Sequence, residues 1–506
     1  MSKLLEIQSM NLISNDEHEE MFLENVDFTI KESKLISLMG DSGSGKSLFA
    51  YAIMSKEKEY RIKKDYRLFS FNGIDIRPGY EKNISYVPQE PLSSLNPVID
   101  IFKHFKINDR KTLDKNSLRK QITKLLVEVG FSDIEDLLTK YPHELSGGMA
   151  QRVLIALALQ SNPNLLIADE ATSSLDAVNA KLILDLLLRI SKKRRLAVLV
   201  ITHDPRIALN YCSEHYQIRD RRLVKFDSAD EVKKLYKDYQ NIIGEEQFLR
   251  SVEFHADDYK IEIVNLNKIF FKFEKSHRWI IKNLNILIHR GEALGLIGLS
   301  GSGKSTISKL ITRLLNPTSG QIFFEENPIN EIKRKKYAEK VQIVFQDLFG
   351  SLNPKRLIKD ILLDSLEIGD QNKSIDKLER IKKNLLKVGL SSEILGKYPL
   401  NLSGGQRQKV LILKAILSEP QFIIFDEPMS SLDIKSQSEI ILIIKKLMKS
   451  SNLTILFITH DFRLIKNLCD KVVVLSDGQI VETGQTGEVF NHPMHIETKK
   501  LLQVVK

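Results

Sequence analysis

Short apolar runs that end on glycine or on acidic and histidine residues recur along the chain, and they set the first structural expectation. Residues 33–39 and 293–297 each lead into a glycine-rich segment. Residues 165–168 and 422–425 are apolar throughout and stop at Asp-Glu, whereas 196–202 and 454–459 stop at His-Asp. Runs without polar alternation predict strands buried on both faces of a parallel sheet. Such sheets hold ligands at the carboxyl ends of their strands, where these polar residues stand. Residues 117–129 and 375–388 have helical period instead, and they predict a smaller helical subdomain inserted into each α/β core. The longest apolar runs, such as 153–159 and 196–201, fall far short of the roughly 18–20 residues of a membrane span. Near the beginning, acidic residues between 16 and 20 interrupt the chain before an apolar leader could form, so no secretory signal is expected.

The pattern is written twice. GDSGSGKS (40–47) returns as GLSGSGKS (298–305), and PQEPLSSLNP (88–97) as FQDLFGSLNP (345–354). LSGGMAQR (145–152) returns as LSGGQRQK (402–409), LLIADEATSSLD (165–176) as FIIFDEPMSSLD (422–433), and VLVITHD (198–204) as ILFITHD (455–461). Lys46 and Lys304 lie 258 residues apart. Gln89 and Gln346, Ser146 and Ser403, Asp169 and Asp426, and His203 and His460 all lie 257 apart. One register across five segments predicts a duplicated domain, with a period far longer than a solenoid repeat. The expected division is a first domain at 1–227, a charged, partly helical linker at 228–258, and a second domain at 259–506.

The glycine-rich segments carry the chemistry. In G-x-x-x-x-G-K-[ST], glycines let backbone N–H groups turn toward one phosphate and the following helix N-terminus adds positive charge. The lysine reaches the β and γ oxygens, and the hydroxyl ligates Mg²⁺. This gives Gly40, Ser42, Gly43, Gly45, Lys46 and Ser47 in the first copy. The second supplies Gly298, Ser300, Gly301, Ser302, Gly303, Lys304, Ser305 and Thr306. Asp169 and Asp426 fit the magnesium carboxylate, and Glu170 and Glu427 a general base that orients water. His203 and His460, each 34 residues after its aspartate, fit a γ-phosphate contact. Ser146 and Ser403, followed by Gly147–Gly148 and Gly404–Gly405, stand where a helix N-cap would, making a second anion-binding device. A second helix N-terminus per nucleotide is useful only if it faces a nucleotide held elsewhere, which points to composite sites.

Composition narrows the class further. Hydrophobic residues make up 42% and charged residues 28% of the 506, which excludes a disordered or fibrous chain. Two cysteines exclude a disulfide framework or Cys-built zinc module and suit a reducing compartment; both are expected to pack as small apolar residues. The formal charge of +10 admits nucleic acid, nucleotide or an anionic membrane surface as a partner. The basic runs at 192–195 and 333–336 have no interleaved aromatic residues for base stacking. The first falls where a helix would end, where cations favour the dipole, so no nucleic acid is expected.

Together these segments resemble the Walker A, Gln loop, signature, Walker B, SSLD and His loop of ATP-binding cassette (ABC) ATPases, over nearly the whole chain. The resemblance implies an α/β fold of two tandem P-loop domains that hydrolyse ATP with Mg²⁺, with the cassettes meeting head to tail. One site would combine Lys46, Ser47, Gln89, Asp169, Glu170 and His203 with Ser403, Gly405 and Asp433. The other would combine Lys304, Ser305, Gln346, Asp426, Glu427 and His460 with Ser146, Gly148 and Asp176. Gln89 and Gln346 are implied as further magnesium ligands, and Phe270 as an adenine-stacking aromatic. Pairing within one chain and between chains both stay open. SSLNP, GSLNP and the VFNHPMHIETKKLL tail (489–502) are similar to the oligopeptide/dipeptide/nickel importer group, and the fused pair to the ATPase subunit of microcin C/peptide importers. That implies two membrane permeases, a substrate-binding protein, and a peripheral place on the cytoplasmic face of the inner membrane.

Two other classes share the machinery. A ribosome-associated twin-cassette factor would suit the charge, but such factors usually carry a longer charged helical linker and lack SLNP after the Gln loop. A tandem sugar-importer ATPase has similar architecture, but one of its copies is commonly degenerate, whereas Glu170 and Glu427 are both present. The departures here cluster in the first copy: Ala171 replaces Pro428, Glu32-Ser33 is set against Gly291-Glu292, and residues 12–14 offer no aromatic to match Phe270. The Lys46 site is therefore expected to bind ATP more weakly than the Lys304 site.

Overall fold

The apolar runs become the central strands of two six-stranded sheets. The structure, a computed structural model, describes residues 3–15, 19–41, 43–56, 59–75, 83–109, 114–173, 175–244, 259–271, 277–345, 350–369, 377–429, 432–450 and 453–503. It divides into two compact units, Met1–Tyr239 and Gln240–Lys506.

In the first unit the strand order is Arg222–Lys225, Glu214–Arg219, Leu35–Gly40, Ala197–Ile201, Leu165–Asp169, Ile84–Val87. All neighbours are parallel except the first pair. Leu166 and Ala168 pack into one hydrophobic cluster and Leu165 and Ile167 into another, so this strand is covered on both faces as its composition requires. The second unit repeats the order with Gln479–Gln485, Lys471–Ser476, Ala293–Gly298, Thr454–Ile458, Phe422–Asp426 and Val341–Val344.

An antiparallel sheet accompanies each. Lys3–Ser14 pairs with Met21–Lys31 and Leu68–Phe71, and Tyr259–Phe271 pairs with His277–His289 and Ser319–Phe324. The helical periods are realised as Lys115–Glu128 and Lys377–Lys387. Asp114 caps the former by accepting from the Asn116 and Ser117 N–H groups, and Leu118, Ile122, Leu125 and Leu126 form its buried stripe. In the second copy the start of the expected helix, residue 375, lies outside the described residues.

The stretch expected as a linker begins as a helix, Ala229–Gly244, anchored where Val232 buries against Met39 and Ala208 of the first unit. Its remainder, 245–258, lies outside the described residues. The basic segment 192–195 ends the helix Ala177–Arg194, and Lys193 and Arg194 pair there with Glu128. Among the described residues, no helix is long and apolar enough to cross a membrane.

One sequence expectation needs correction. The turn entering each P-loop strand has Ser33 at φ +59° and Gly291 at φ +68°, so Ser33 is the counterpart of Gly291. Lys34, not Ser33, then stands opposite Glu292. The left-handed region is what glycine tolerates and serine does not, so the first copy carries a small strain that the second avoids.

Candidate functional site

Each P-loop strand ends in a glycine-rich turn that opens a helix, Lys46–Ile53 or Lys304–Ile311, with Gly45 or Gly303 in the left-handed conformation at its cap. The lysines are buried and folded back over the loop. Lys46 Nζ donates to the carbonyls of Gly40 (2.9 Å) and Asp41 (2.8 Å), and Lys304 Nζ to those of Gly298 (2.8 Å) and Leu299 (2.9 Å). Inside each loop a serine hydroxyl, that of Ser44 or Ser302, is buried without a hydrogen-bond partner. A loop that orphans a hydroxyl and gathers an ammonium is shaped for an acceptor-rich anion, so these residues fit a nucleotide phosphate. Gly43 and Gly301 have open space where a Cβ would project. Ser300 and Thr306 take their expected places in the second loop and at its helix start, whereas Ser42 lies outside the described residues.

The strand two places from each P-loop strand in its sheet supplies a carboxylate. Asp169 accepts from Ser47 Oγ at 2.8 Å, and Asp426 from Ser305 Oγ at 3.2 Å. This hydroxyl–carboxylate pair, two oxygens converging beside the lysine, is the donor set Mg²⁺ takes. Burial raises the pKa of both aspartates, and the hydroxyl bonds oppose that shift.

The next residues, Glu170 and Glu427, adopt φ of +46° and +48°, costing about 1–3 kcal/mol each in non-glycine residues. Each is pinned by its own N–H, which donates to the carbonyl of Ile201 (3.0 Å) or Ile458 (2.8 Å) on the adjacent strand. The histidines are set by Thr-His-Asp turns, in which the Asp204 and Asp461 N–H groups donate to Thr202 Oγ1 and Thr459 Oγ1, both at 3.0 Å. His203 Nδ1 thus lies 3.4 Å from Glu170 Oε1, and His460 Nδ1 3.4 Å from Glu427 Oε2. Gln89 Nε2 donates to Glu170 Oε2 at 2.9 Å, so this side chain is engaged with the glutamate, not with Asp169 or Ser47. Gln346 lies outside the described residues.

Burial disfavours charge on His460, but its bond to Glu427 and that carboxylate's charge outweigh it and raise the pKa above the ordinary 6.5. Burial likewise pushes Glu427 up, and the His460 bond and charge bring it below 4.5. The His460 contribution to stability is full below its unfolded pKa and lost as pH rises through the raised folded value. That of Glu427 is present above its unfolded value and lost as pH falls through the lowered one. Urea unfolding is therefore expected to show stability falling as pH rises above the ordinary histidine value of 6.5. His460→Gln should flatten that decline; an unchanged slope would refute the pairing.

Ser146 caps the helix Gly147–Leu159 by accepting from the Met149 N–H at 3.3 Å. Ser403 caps Gly404–Ile416 in a full capping box, with Gln406 returning a bond to the Ser403 N–H. Gly148 and Gly405 sit in close quarters: a Cβ would meet Asn179 Oδ1 at 2.8 Å or Ser436 Oγ at 2.6 Å, so those side chains would have to shift. Asp176 and Asp433 hold those same neighbours, capping their helices through the Asn179 and Ser436 N–H groups at 3.0 and 2.9 Å.

Phe270 lies in the strand Tyr259–Phe271 with its backbone opposite Arg278; its side chain lies outside the described residues. The matching run of bulges in Lys3–Ser14 sets Ser14 at the equivalent place, where its hydroxyl accepts from the Glu20 N–H at 2.7 Å. The motifs did not reveal two further donors to these aspartates. Tyr86 Oη donates to Asp169 Oδ2 at 2.8 Å, and Ser308 Oγ donates to Asp426 Oδ2 at 2.8 Å.

Each unit therefore carries the working parts of a P-loop ATPase. A family model described as ABC transporter matches residues 23–173 and again 281–430. The chain belongs to the ABC transporter family and is an ABC-type ATPase, built as two α/β P-loop domains. It is 32% identical to the Uncharacterized ABC transporter ATP-binding protein YejF of Escherichia coli K12, over 95% of each chain. It is 30% identical to the Peptidoglycan transport ATP-binding protein YejF of Agrobacterium fabrum, over 95% of this chain and 92% of that one. The Glutathione import ATP-binding protein GsiA of E. coli K12 is 28% identical over 99% of this chain and 89% of its own.

Proposed function

We propose that the chain is the ATP-hydrolysing subunit of a membrane importer for peptides or peptide-like compounds, working at two head-to-tail composite sites. The observation that carries the reading is the matching pair of Glu–His contacts, Glu170 with His203 and Glu427 with His460, in one chain. Full-length similarity to a peptidoglycan transport ATP-binding protein and a glutathione import ATP-binding protein supports the substrate class. Both compounds are peptide-like.

In this reading Lys46 and Lys304 grip the β and γ phosphates, while Ser47 with Asp169 and Ser305 with Asp426 would hold Mg²⁺. The metal would neutralise charge developing on the transferred phosphoryl group. Glu170 and Glu427 accept the proton of the attacking water, and His203 and His460, charged beside them, donate toward the γ-phosphate. The signature helices belong to the helical subdomain and are separate from the P-loop helices. That separation supports Ser146 and Ser403 facing a phosphate held by the other cassette. Phe270 would stack on adenine. The partners are membrane permeases with a substrate-binding protein, and the place of work is the cytoplasmic face of the inner membrane.

The test is ATPase activity in proteoliposomes holding the chain with the permeases of neighbouring genes. Stimulation of at least several-fold by peptide-loaded binding protein is expected. Stimulation by ribosomes, with none from permeases, would reject the importer in favour of a translation factor.

A further inference from the structure

We propose that the Tyr86 hydroxyl is a positioning residue for the Asp169 carboxylate, doing in the first cassette what Ser308 does in the second. The inference rests on the reading of Asp169 and Asp426 as metal carboxylates, and it deepens that reading.

Each aspartate accepts from a second hydroxyl beside that of the P-loop serine: Asp426 takes the two on separate oxygens, whereas Asp169 takes both on Oδ2. The hydroxyl arrives from different elements. In the second unit it comes from the P-loop helix: Ser308 lies one turn beyond Ser305 on the same face, is fully buried, and donates to Asp426 Oδ2 at 2.8 Å. Its counterpart in the first unit, the fifth residue of the helix Lys46–Ile53, is Ala50, equally buried and without a hydroxyl.

There the donor comes from the sheet. Tyr86 pairs with Ile167 in parallel register, so it shares a face with Asp169, and its phenol spans the remaining distance to Oδ2. The residue in the same register of the second unit is Ile343, opposite Ile424, which has nothing to donate. Tyr86 therefore goes with Ala50 and Ile343 with Ser308, two ways of adding a second hydroxyl that fixes the carboxylate. Tyr51 Oη, 3.5 Å from Tyr86 Oη, flanks the phenol and limits its swing.

A hydroxyl that merely fills space would be silent toward magnesium, whereas one that aims the carboxylate matters only when the cation is bound. In the full-length chain carrying Lys304→Ala, Tyr86→Phe keeps the ring and removes the donor. Binding of a fluorescent ATP analogue is expected to weaken about five- to tenfold in Mg²⁺ and to stay unchanged in EDTA. Adding Ala50→Ser, which installs the second unit's donor, should return the Mg²⁺-supported affinity to within about twofold of the parent. Ser308→Ala in a Lys46→Ala chain should show the same Mg²⁺-selective loss. A Tyr86→Phe chain whose ratio of Mg²⁺ to EDTA affinity equals the parent's overturns the inference, as does equal weakening in both conditions. A wild-type chain whose nucleotide affinity ignores Mg²⁺ overturns the metal-carboxylate reading itself.

Discussion

Replacing Glu170 and Glu427 together by Gln is expected to cut steady-state ATP hydrolysis by about 10²–10⁴-fold while ATP remains bound. Gln is nearly isosteric and can hold the same left-handed turn, whose backbone anchors to Ile201 and Ile458 do not involve the side chain. What disappears is the acceptor for the water proton. The 3.4 Å approach to His203 and His460 also becomes a neutral contact in place of an ion pair. The lysines, the P-loop amides and the aspartates are untouched, so the phosphate grip survives. Phosphate release and the stoichiometry of retained ATP after gel filtration measure the two halves of the claim. A double variant that still turns over ATP within about tenfold of wild type would remove both glutamates from the chemistry. Each single variant reports its own site, since the two constellations lie in separate units.

The parts legible in the sequence are those fixed by burial and by chain-local geometry. Residues 165–168 and 422–425 announced themselves because a strand covered on both faces has no polar alternation, and the structure extends each by the aspartate alone. The P-loops were legible because a fixed spacing of glycines, lysine and serine is needed to turn consecutive amides inward. The Ser146 and Ser403 caps were legible because a cap acts within three residues.

The bond from Tyr86 to Asp169 was not, because it spans 83 residues and depends on the register of two strands. Ser308 reads as an ordinary helix serine until Asp426 is set against it. The strained φ of Glu170 and Glu427 has no compositional mark, since the same Asp-Glu ends many strands in ordinary conformations. The place of Ser33 was legible too: the 258-residue spacing of the P-loop lysines, carried back along the strand, sets Ser33 at Gly291, as their shared left-handed turns do.

Lys304→Ala is expected to remove the tighter class of ATP binding, weakening it by about tenfold to a hundredfold, whereas Lys46→Ala should leave that class in place. The lysines themselves do not make the difference: each is buried and makes the same two carbonyl bonds within 0.1 Å. The asymmetry comes from the surroundings. Base–aromatic stacking is worth about 1–3 kcal/mol, enough for a factor of roughly five to a hundred. Phe270 is the aromatic proposed to stack in the second unit, whereas the first has Ser14, whose hydroxyl is already committed to the Glu20 amide. Equilibrium titration of each variant with a fluorescent ATP analogue in Mg²⁺ separates the two classes, and Phe270→Ala should bring the second site down to the first. Equal loss of affinity in Lys46→Ala and Lys304→Ala would eliminate the asymmetry and leave two sites of one strength.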